Sequence, residues 1–310
     1  MKKFSKEILF FFVFWLCIAI PIDLFYTKHL LNSNIREVEI WEDIINDKLN
    51  AEMVILGSSR AADHYQPAII DSITRISSYN LGQYGKGIED DLIRYNLLKK
   101  HSKHLPKYIV WDLYFNSFNY SGKYYDDQYT PFLFNKDIWG EINKNSAHFS
   151  ILDKYIPLLR YWKKNMLHDY QFLPNPYKGF VYNRDTWHPE EMQKLKNNPI
   201  NCSMEKALID EFRNTVRDIK DNGSEVILVF SPLYYQGQYC VNNLSTILDT
   251  IQTIASEEKC PFLNYLYDTL SYDSTYFKNA MHLNERGTDA FSAKFAYIFD
   301  SLLYSRNIDS

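Results

Sequence analysis

Two apolar patterns alternate along this chain. Short unbroken apolar runs bounded by Gly, Pro, Asn or Ser read as buried strands over 53–57, 77–81, 107–113, 225–230 and 261–266. Between them lie segments of helical period: 67–75 with Pro67 at its start, 88–101 with Leu92, Tyr95 and Leu98 on one stripe, 203–221, 244–258, and a last one from 284 or 285 to 303. Ser203 and the pair Asn222-Gly223 supply the start and stop signals of the third. Strands alternating with helices predict an α/β fold, a three-layer sandwich of one five-stranded parallel sheet with helices on both faces. Residues 35–50 mix charged and apolar positions at helical period and read as a stalk or first packing helix. From 114 to about 203 the period fades into Tyr, Asn, Pro and Trp, with at least one helix expected around 151–162. An irregular stretch of that length is more often a lid or subdomain than a plain loop.

The N-terminus carries a different pattern. Lys2, Lys3 and Lys6 precede an apolar run over 8–22, and Leu24, Phe25 and Tyr26 extend it beyond Asp23 to about the length of a bilayer span. No small-residue cleavage site follows, so the segment reads as an uncleaved signal anchor. The lysines ahead of it put the N-terminus in the cytoplasm and the rest outside. The expected organisation is an anchor over 1–30, a stalk helix over 31–50, and one domain over 51–310 with the insertion at about 114–203. The expected location is the cytoplasmic membrane, single-pass, with the domain periplasmic or at the cell surface.

Composition sharpens this picture at three points. The 310 residues are 46% hydrophobic, enough for a full core. A formal net charge of -4 with no basic stripe argues against a nucleic-acid partner. Of the exported cysteines, Cys202, Cys240 and Cys260, an oxidising compartment allows one pair with one left over, or three free thiols. No Cys/His cluster has zinc-ligand spacing, so neither metal nor cofactor is expected.

The candidate chemistry sits at strand ends. Val54-Ile55-Leu56-Gly57 delivers Ser58 and Ser59 just past the first strand, where open α/β sheets place their ligand crevice. Ser59 is the candidate nucleophile, although Ser before a helix is also a common cap. The second strand ends in Asn80-Leu81-Gly82-Gln83-Tyr84-Gly85, the third runs toward Asn116, and His282 stands in a loop ahead of the last helix. A parallel sheet gathers all these segments at one edge. A nucleophile, backbone donors, a side-chain amide and a base are the parts of an acyl-transfer site.

With these residues in place the chain resembles the SGNH (GDSL-type) hydrolases, over about 53–303, and within them the membrane-anchored alginate O-acetylation and teichoic-acid D-alanyl-transfer proteins. Ile55-Leu56-Gly57-Ser58-Ser59-Arg60 is similar to the first block, Asn80 to Gly85 to the second, and His282-Leu283-Asn284 with Gly287 to the last. The resemblance implies a flavodoxin-like SGNH fold, Ser59 as nucleophile and His282 as base. It implies an oxyanion hole from the N–H groups of Ser59 and Gly85 with the Asn116 amide. It implies an esterase or O-acyltransferase acting on acyl, chiefly acetyl, esters of an envelope or secreted polysaccharide, and it admits a membrane acyltransferase as partner. On that reading the insertion, with Trp139, Trp162, Trp187 and many tyrosines, would face the acceptor. Two departures stand out: the third block offers only a shifted Asn116, and Asn279 occupies the place of the usual Asp in the last. A nearby carboxylate such as Asp273 is the alternative orienter of His282. The rival reading is a catalytically impaired member that binds glycan or scaffolds a membrane acylation complex.

Overall fold

The computed structural model describes residues 2–85, 87–119, 127–145, 149–162 and 176–309. Parts of the expected insertion, 120–126, 146–148 and 163–175, lie outside the described residues. In chain order the elements are α1 (Lys2–Leu31), α2 (Arg36–Ile45), β1 (Met53–Gly57), α3 (Ser59–His64), α4 (Pro67–Thr74), β2 (Ser78–Asn80), α5 (Ile88–His101) and β3 (Tyr108–Asp112). A 3-10 turn at Asp127–Phe132 leads to α6 (Lys136–Asn145), α7 (Ile151–Tyr155), α8 (Leu159–Trp162) and α9 (Pro189–Asn197). The chain closes with α10 (Lys206–Asp221), β4 (Glu225–Phe230), α11 (Tyr235–Gln238), α12 (Leu244–Glu257), β5 (Phe262–Asn264) and α13 (Glu285–Asp309).

All five strands are parallel, in the order β2-β1-β3-β4-β5. The direction of winding therefore reverses between β1 and β3, which puts the crevice of such a sheet beyond Gly57 and Asp112. Alternation of side chains builds the layers. Met53, Ile55, Tyr108, Val110, Ile227 and Val229 join one core with Ala61, Tyr65, Ile70 and Phe291, Phe295 and Phe299 of α13. Trp111 points to the opposite face, its ring 4.7 Å from that of Phe212 in α10. Because both faces are covered, β1 and β3 are buried at every position, and their sequences run apolar without alternation.

Chain contacts form two compact units: Met1–Glu42 with Gly122–Asn175, and Asp43–Ser121 with Pro176–Ser310. The sheet belongs to the second. In the first, α1 is long and apolar enough to cross a membrane, with a mean hydropathy of 2.5 over its most apolar window.

One local reading needs correction, the start of α10, and two stretches gain detail. The stretch around 151–162, expected to hold at least one helix, holds two, α7 and α8, parted where Pro157 removes a donor and Leu158 turns at φ +67°. Ser203 does not start α10; its hydroxyl bonds Asn119 and Glu205, and the helix begins at Lys206. The segment between the serines and Pro67 is a helix of its own, α3. All four cysteines are free thiols, and burial pushes Cys202 up to about 11.

Candidate active site

The site begins with the turn that ends β1. Gly57 has φ +140°, and a Cβ there would lie 2.5 Å from the Asp112 carbonyl oxygen. Its N–H donates to Asp91 of α5 at 3.1 Å, and the Trp111 indole donates to the other oxygen of that carboxyl at 2.9 Å. Burial pushes the Asp91 carboxyl up to about 7, against the pull of nearby Arg94. The two serines then divide the work. Ser58 is the N-cap of α3, its hydroxyl oxygen accepting from the Arg60 N–H at 3.5 Å. Ser59, half-buried, puts its Oγ 2.8 Å from His282 Nε2.

His282 stands on a loop folded back on itself. The Lys278 N–H donates to the His282 carbonyl at 3.0 Å, and Gly287 lies where a Cβ would meet the Tyr276 carbonyl oxygen at 2.0 Å. Asn279 Oδ1 is the hub of this loop. It accepts from the N–H groups of Met281 and His282 and lies 3.0 Å from His282 Nδ1. An inverted amide would set its NH2 against two backbone donors, so the oxygen faces the ring. His282 therefore carries its proton on Nδ1 and turns the Nε2 lone pair to Ser59. Asp273, the alternative orienter, is exposed and accepts from the Thr275 N–H at 2.9 Å, so it serves as a turn cap. Burial, with the cations of Lys278 and Arg60 nearby, lowers the His282 pKa to about 3.

Behind this pair lies a buried polar network that was not read from the sequence. His64, the last residue of α3, accepts from the Leu283 N–H at Nε2, 3.0 Å away. Its Nδ1 is 2.9 Å from Ser231 Oγ, past the end of β4. Ser231 in turn donates its N–H and its hydroxyl to the two oxygens of Asp112, at 3.0 and 2.9 Å. The Arg60 guanidinium bonds the Ser231 carbonyl and hydroxyl and lies over the Phe230 ring. Burial holds His64 well below the usual histidine range and pushes Asp112 up to about 6 despite Arg60. A second cluster joins Lys278 to Asp63 at 2.8 Å, with the Tyr84 hydroxyl donating to the same carboxylate. The one available signal for His64 was its position five residues after Ser59 on a short helix.

The remaining expected residues are placed as follows. Asn80 donates to the Ala61 and Tyr65 carbonyls and accepts from the Gly82 N–H, tying β2 to the end of α3. Gly82 fits against that helix, where a Cβ would sit 2.2 Å from the Ala62 nitrogen. Gly85 is an exposed turn residue at φ +66°. Among the described residues no backbone hydrogen bond is made by the N–H of Ser59 or of Gly85. Asn116 is half-buried in the turn after β3, beside Tyr114, and no hydrogen bond joins it to Ser59 or His282 among the described residues. Trp187 and Tyr234 meet at 4.7 Å next to the His282 loop, where the Tyr234 N–H donates to the Ala280 carbonyl. No three metal-ligating side chains gather among the described residues.

No family model matches this sequence, and no curated protein matches it. Among solved structures, the chain is similar to a catalytic mutant of an acetylxylan esterase from Geobacillus stearothermophilus at 11% identity. That match covers 81% of this chain and 94% of the other, with a TM-score of 0.41. A protein assigned to the G-D-S-L lipolytic family from Desulfitobacterium hafniense matches at 11% identity over 80% and 99% of the two chains, TM-score 0.40. A GDSL-like lipase from Bacteroides thetaiotaomicron matches at 12% identity over 81% and 88%, TM-score 0.38. Likeness at this level leaves the chemistry to be argued from the residues.

Proposed function

We propose that this chain is a serine-dependent esterase or O-acyltransferase of the SGNH type, anchored by α1 and acting outside the cytoplasmic membrane on acyl esters of a polysaccharide. The observation that carries the reading is the 2.8 Å approach of Ser59 Oγ to His282 Nε2, with Asn279 Oδ1 on the far ring nitrogen. Ser59 Oγ attacks the ester carbonyl carbon as His282 Nε2 takes its proton. The N–H groups of Ser59 and Gly85 hold the oxyanion. Collapse expels the sugar alkoxide, which takes the proton back from His282 and leaves an acyl-serine. A second sugar hydroxyl or a water, deprotonated by His282, then attacks that ester and frees Ser59. Trp187 and Tyr235, both half-buried, pack on either side of the buried Tyr234 beside the His282 loop and would offer the aromatic faces that a pyranose acceptor stacks on.

Asn279 in the acid position favours one other reading, a glycan-binding scaffold for a membrane acyltransferase that has kept the fold and lost the turnover. Full-length protein in detergent separates the two. A fluorophosphonate should label the wild type and Ser58→Ala but not Ser59→Ala, and hydrolysis of p-nitrophenyl acetate should follow the same order. Equal rates for the wild type and Ser59→Ala would sink the enzyme reading.

A further inference from the structure

The anchoring helix has two halves of different character. Residues 8–15 are exposed on every side, as a helix in lipid is. From there on a stripe at helical spacing turns inward: Ala19, Asp23 and Leu30 are buried, with Tyr26 and Thr27 half-buried beside them. Asp23 pairs with the Arg160 guanidinium of α8, and its other oxygen accepts from the Leu158 N–H at 2.9 Å. Arg160 also donates to Thr27 Oγ1 at 2.9 Å, and the Tyr161 ring packs 5.8 Å from that of Tyr26. Both charged side chains are almost wholly enclosed, so α8 is fastened to one turn of α1.

That fastening fixes a level. Residues 8–25 rise roughly 27 Å along the helix axis, close to the ~30 Å of a bilayer's hydrocarbon core. The Asp23 to Thr27 turn therefore lies where α1 leaves the hydrocarbon, and α7 and α8 with it. What these two short helices show to their surroundings is apolar: Ile151, Leu152, Tyr155, Ile156 and Trp162 are all exposed, Trp162 at 87%. Phe134 continues the patch, its ring 6.0 Å from Tyr155, and the Lys154 ammonium lies 4.6 Å from the Trp139 ring centre. The patch is no frayed end. Ser150 and Asp153 close a reciprocal capping box on α7, so the helix is held with its apolar side outward.

Contiguous aromatic and aliphatic exposure of this kind, mixed with a lysine, is the composition of a membrane-interface belt and not of a water-facing surface. We infer that α7 and α8 form a second, interfacial membrane attachment, lying in the headgroup region of the bilayer that α1 crosses. This rests on the reading of α1 as a membrane span. Its neighbour in the chain makes the occupant specific: a face continuous with a lipid-exposed helix, at the level where that helix exits, meets lipid.

Photo-crosslinking of the full-length chain tests this directly. A benzophenone amino acid is placed at Phe12, Tyr155, Trp162 or Tyr239, one site per protein, and each protein is reconstituted in phosphatidylethanolamine/phosphatidylglycerol vesicles. After irradiation, phospholipid adducts are quantified by mass spectrometry. Phe12 reports the span, and Tyr239, 83% exposed in the sheet-bearing unit, gives the level for an exposed aromatic outside the proposed attachment. Adducts at 155 and 162 should exceed those at 239 several-fold and approach those at Phe12. Adducts at Phe12 without any at 155 and 162 above the 239 level would overturn the attachment. So would crosslinks at those two sites between copies of the chain. Absence of adducts at Phe12 would instead remove the membrane span on which the inference stands.

Discussion

On the proposed reading, Asn279 decides how fast this site can run. In a serine protease an Asp-to-Asn change at the equivalent point costs about 10⁴-fold in kcat, because the amide selects the wrong histidine tautomer. Here the Met281 and His282 N–H groups fix the amide with its oxygen on the ring, so that part of the penalty is already avoided. What Asn279 lacks is the negative charge that stabilises the imidazolium. Asn279→Asp should therefore raise kcat by about tenfold, and Asn279→Leu, which removes the acceptor altogether, should lower it by about a hundredfold. Steady-state kinetics on an acetyl ester measures both, and unchanged rates in both would mean that Asn279 does not orient the base. Spacing from Ser59 to His282 was legible in the sequence. The orientation of the amide was not, since it depends on donors that only the folded loop brings to Oδ1. The pH profile follows from the same surroundings. His282 must be neutral to accept the Ser59 proton, and with its pKa lowered to about 3 it stays neutral through the mildly acidic range. An unperturbed histidine, with a pKa near 6.5, would lose about thirtyfold of its rate between pH 8 and pH 5. For this protein kcat/KM should lack that limb, and a fall centred near pH 6.5 would contradict the burial of His282.

Helix α3 sets the distance between the two halves of the site. It is only six residues long, yet Ser59 at one end meets His282 while His64 at the other end holds the Leu283 N–H, so about a turn and a half spans Ser59 and the His282 loop. The carbonyl side of its C-terminus is tied down by Asn80, and Ser292 of α13 donates to the His64 carbonyl. On the proposed reading, His64 is thus a positioning residue. His64→Leu should lower kcat about tenfold with KM nearly unchanged, as 1 Å of misplacement at a reacting pair is worth more than that. His64→Gln, whose amide oxygen can take the Leu283 N–H, should recover most of the loss. Thermal melting alongside kinetics separates the two effects; a Gln variant as slow as the Leu variant but equally stable would remove the positioning role. Ser59-Arg60-Ala61-Ala62-Asp63-His64 is too short and too polar to show a helical period, which is why this helix escaped notice while β1 and β4 were plain from their apolar runs. The break between α7 and α8 falls at Pro157, inside a stretch expected to hold at least one helix.

At the scale of the molecule, the parallel sheet was readable because each strand is a buried apolar run followed by an amphipathic helix, and that alternation admits few topologies. Grouping of residues 122–175 with residues 1–42 was not readable, since it is built from pairs such as Asp23 with Arg160 and Trp41 with Gln128, which no local pattern connects. If α1 spans the membrane as proposed, a reporter fused after Asn50 should be exported and the full-length protein should resist carbonate extraction. A mature N-terminus near Tyr26 would show instead that the segment is cleaved. The pairing also imposes an order of events. Arg160 is made 137 residues after Asp23, and at roughly 5–20 residues per second the ribosome takes about 7–27 s to reach it. Throughout that interval the aspartate at the end of the apolar run lacks its counter-ion, so on the proposed reading α1 inserts before the clamp exists. A chain stalled on the ribosome short of residue 160 should therefore already be integrated, and loss of Arg160 should shorten the life of the finished protein while leaving its delivery untouched.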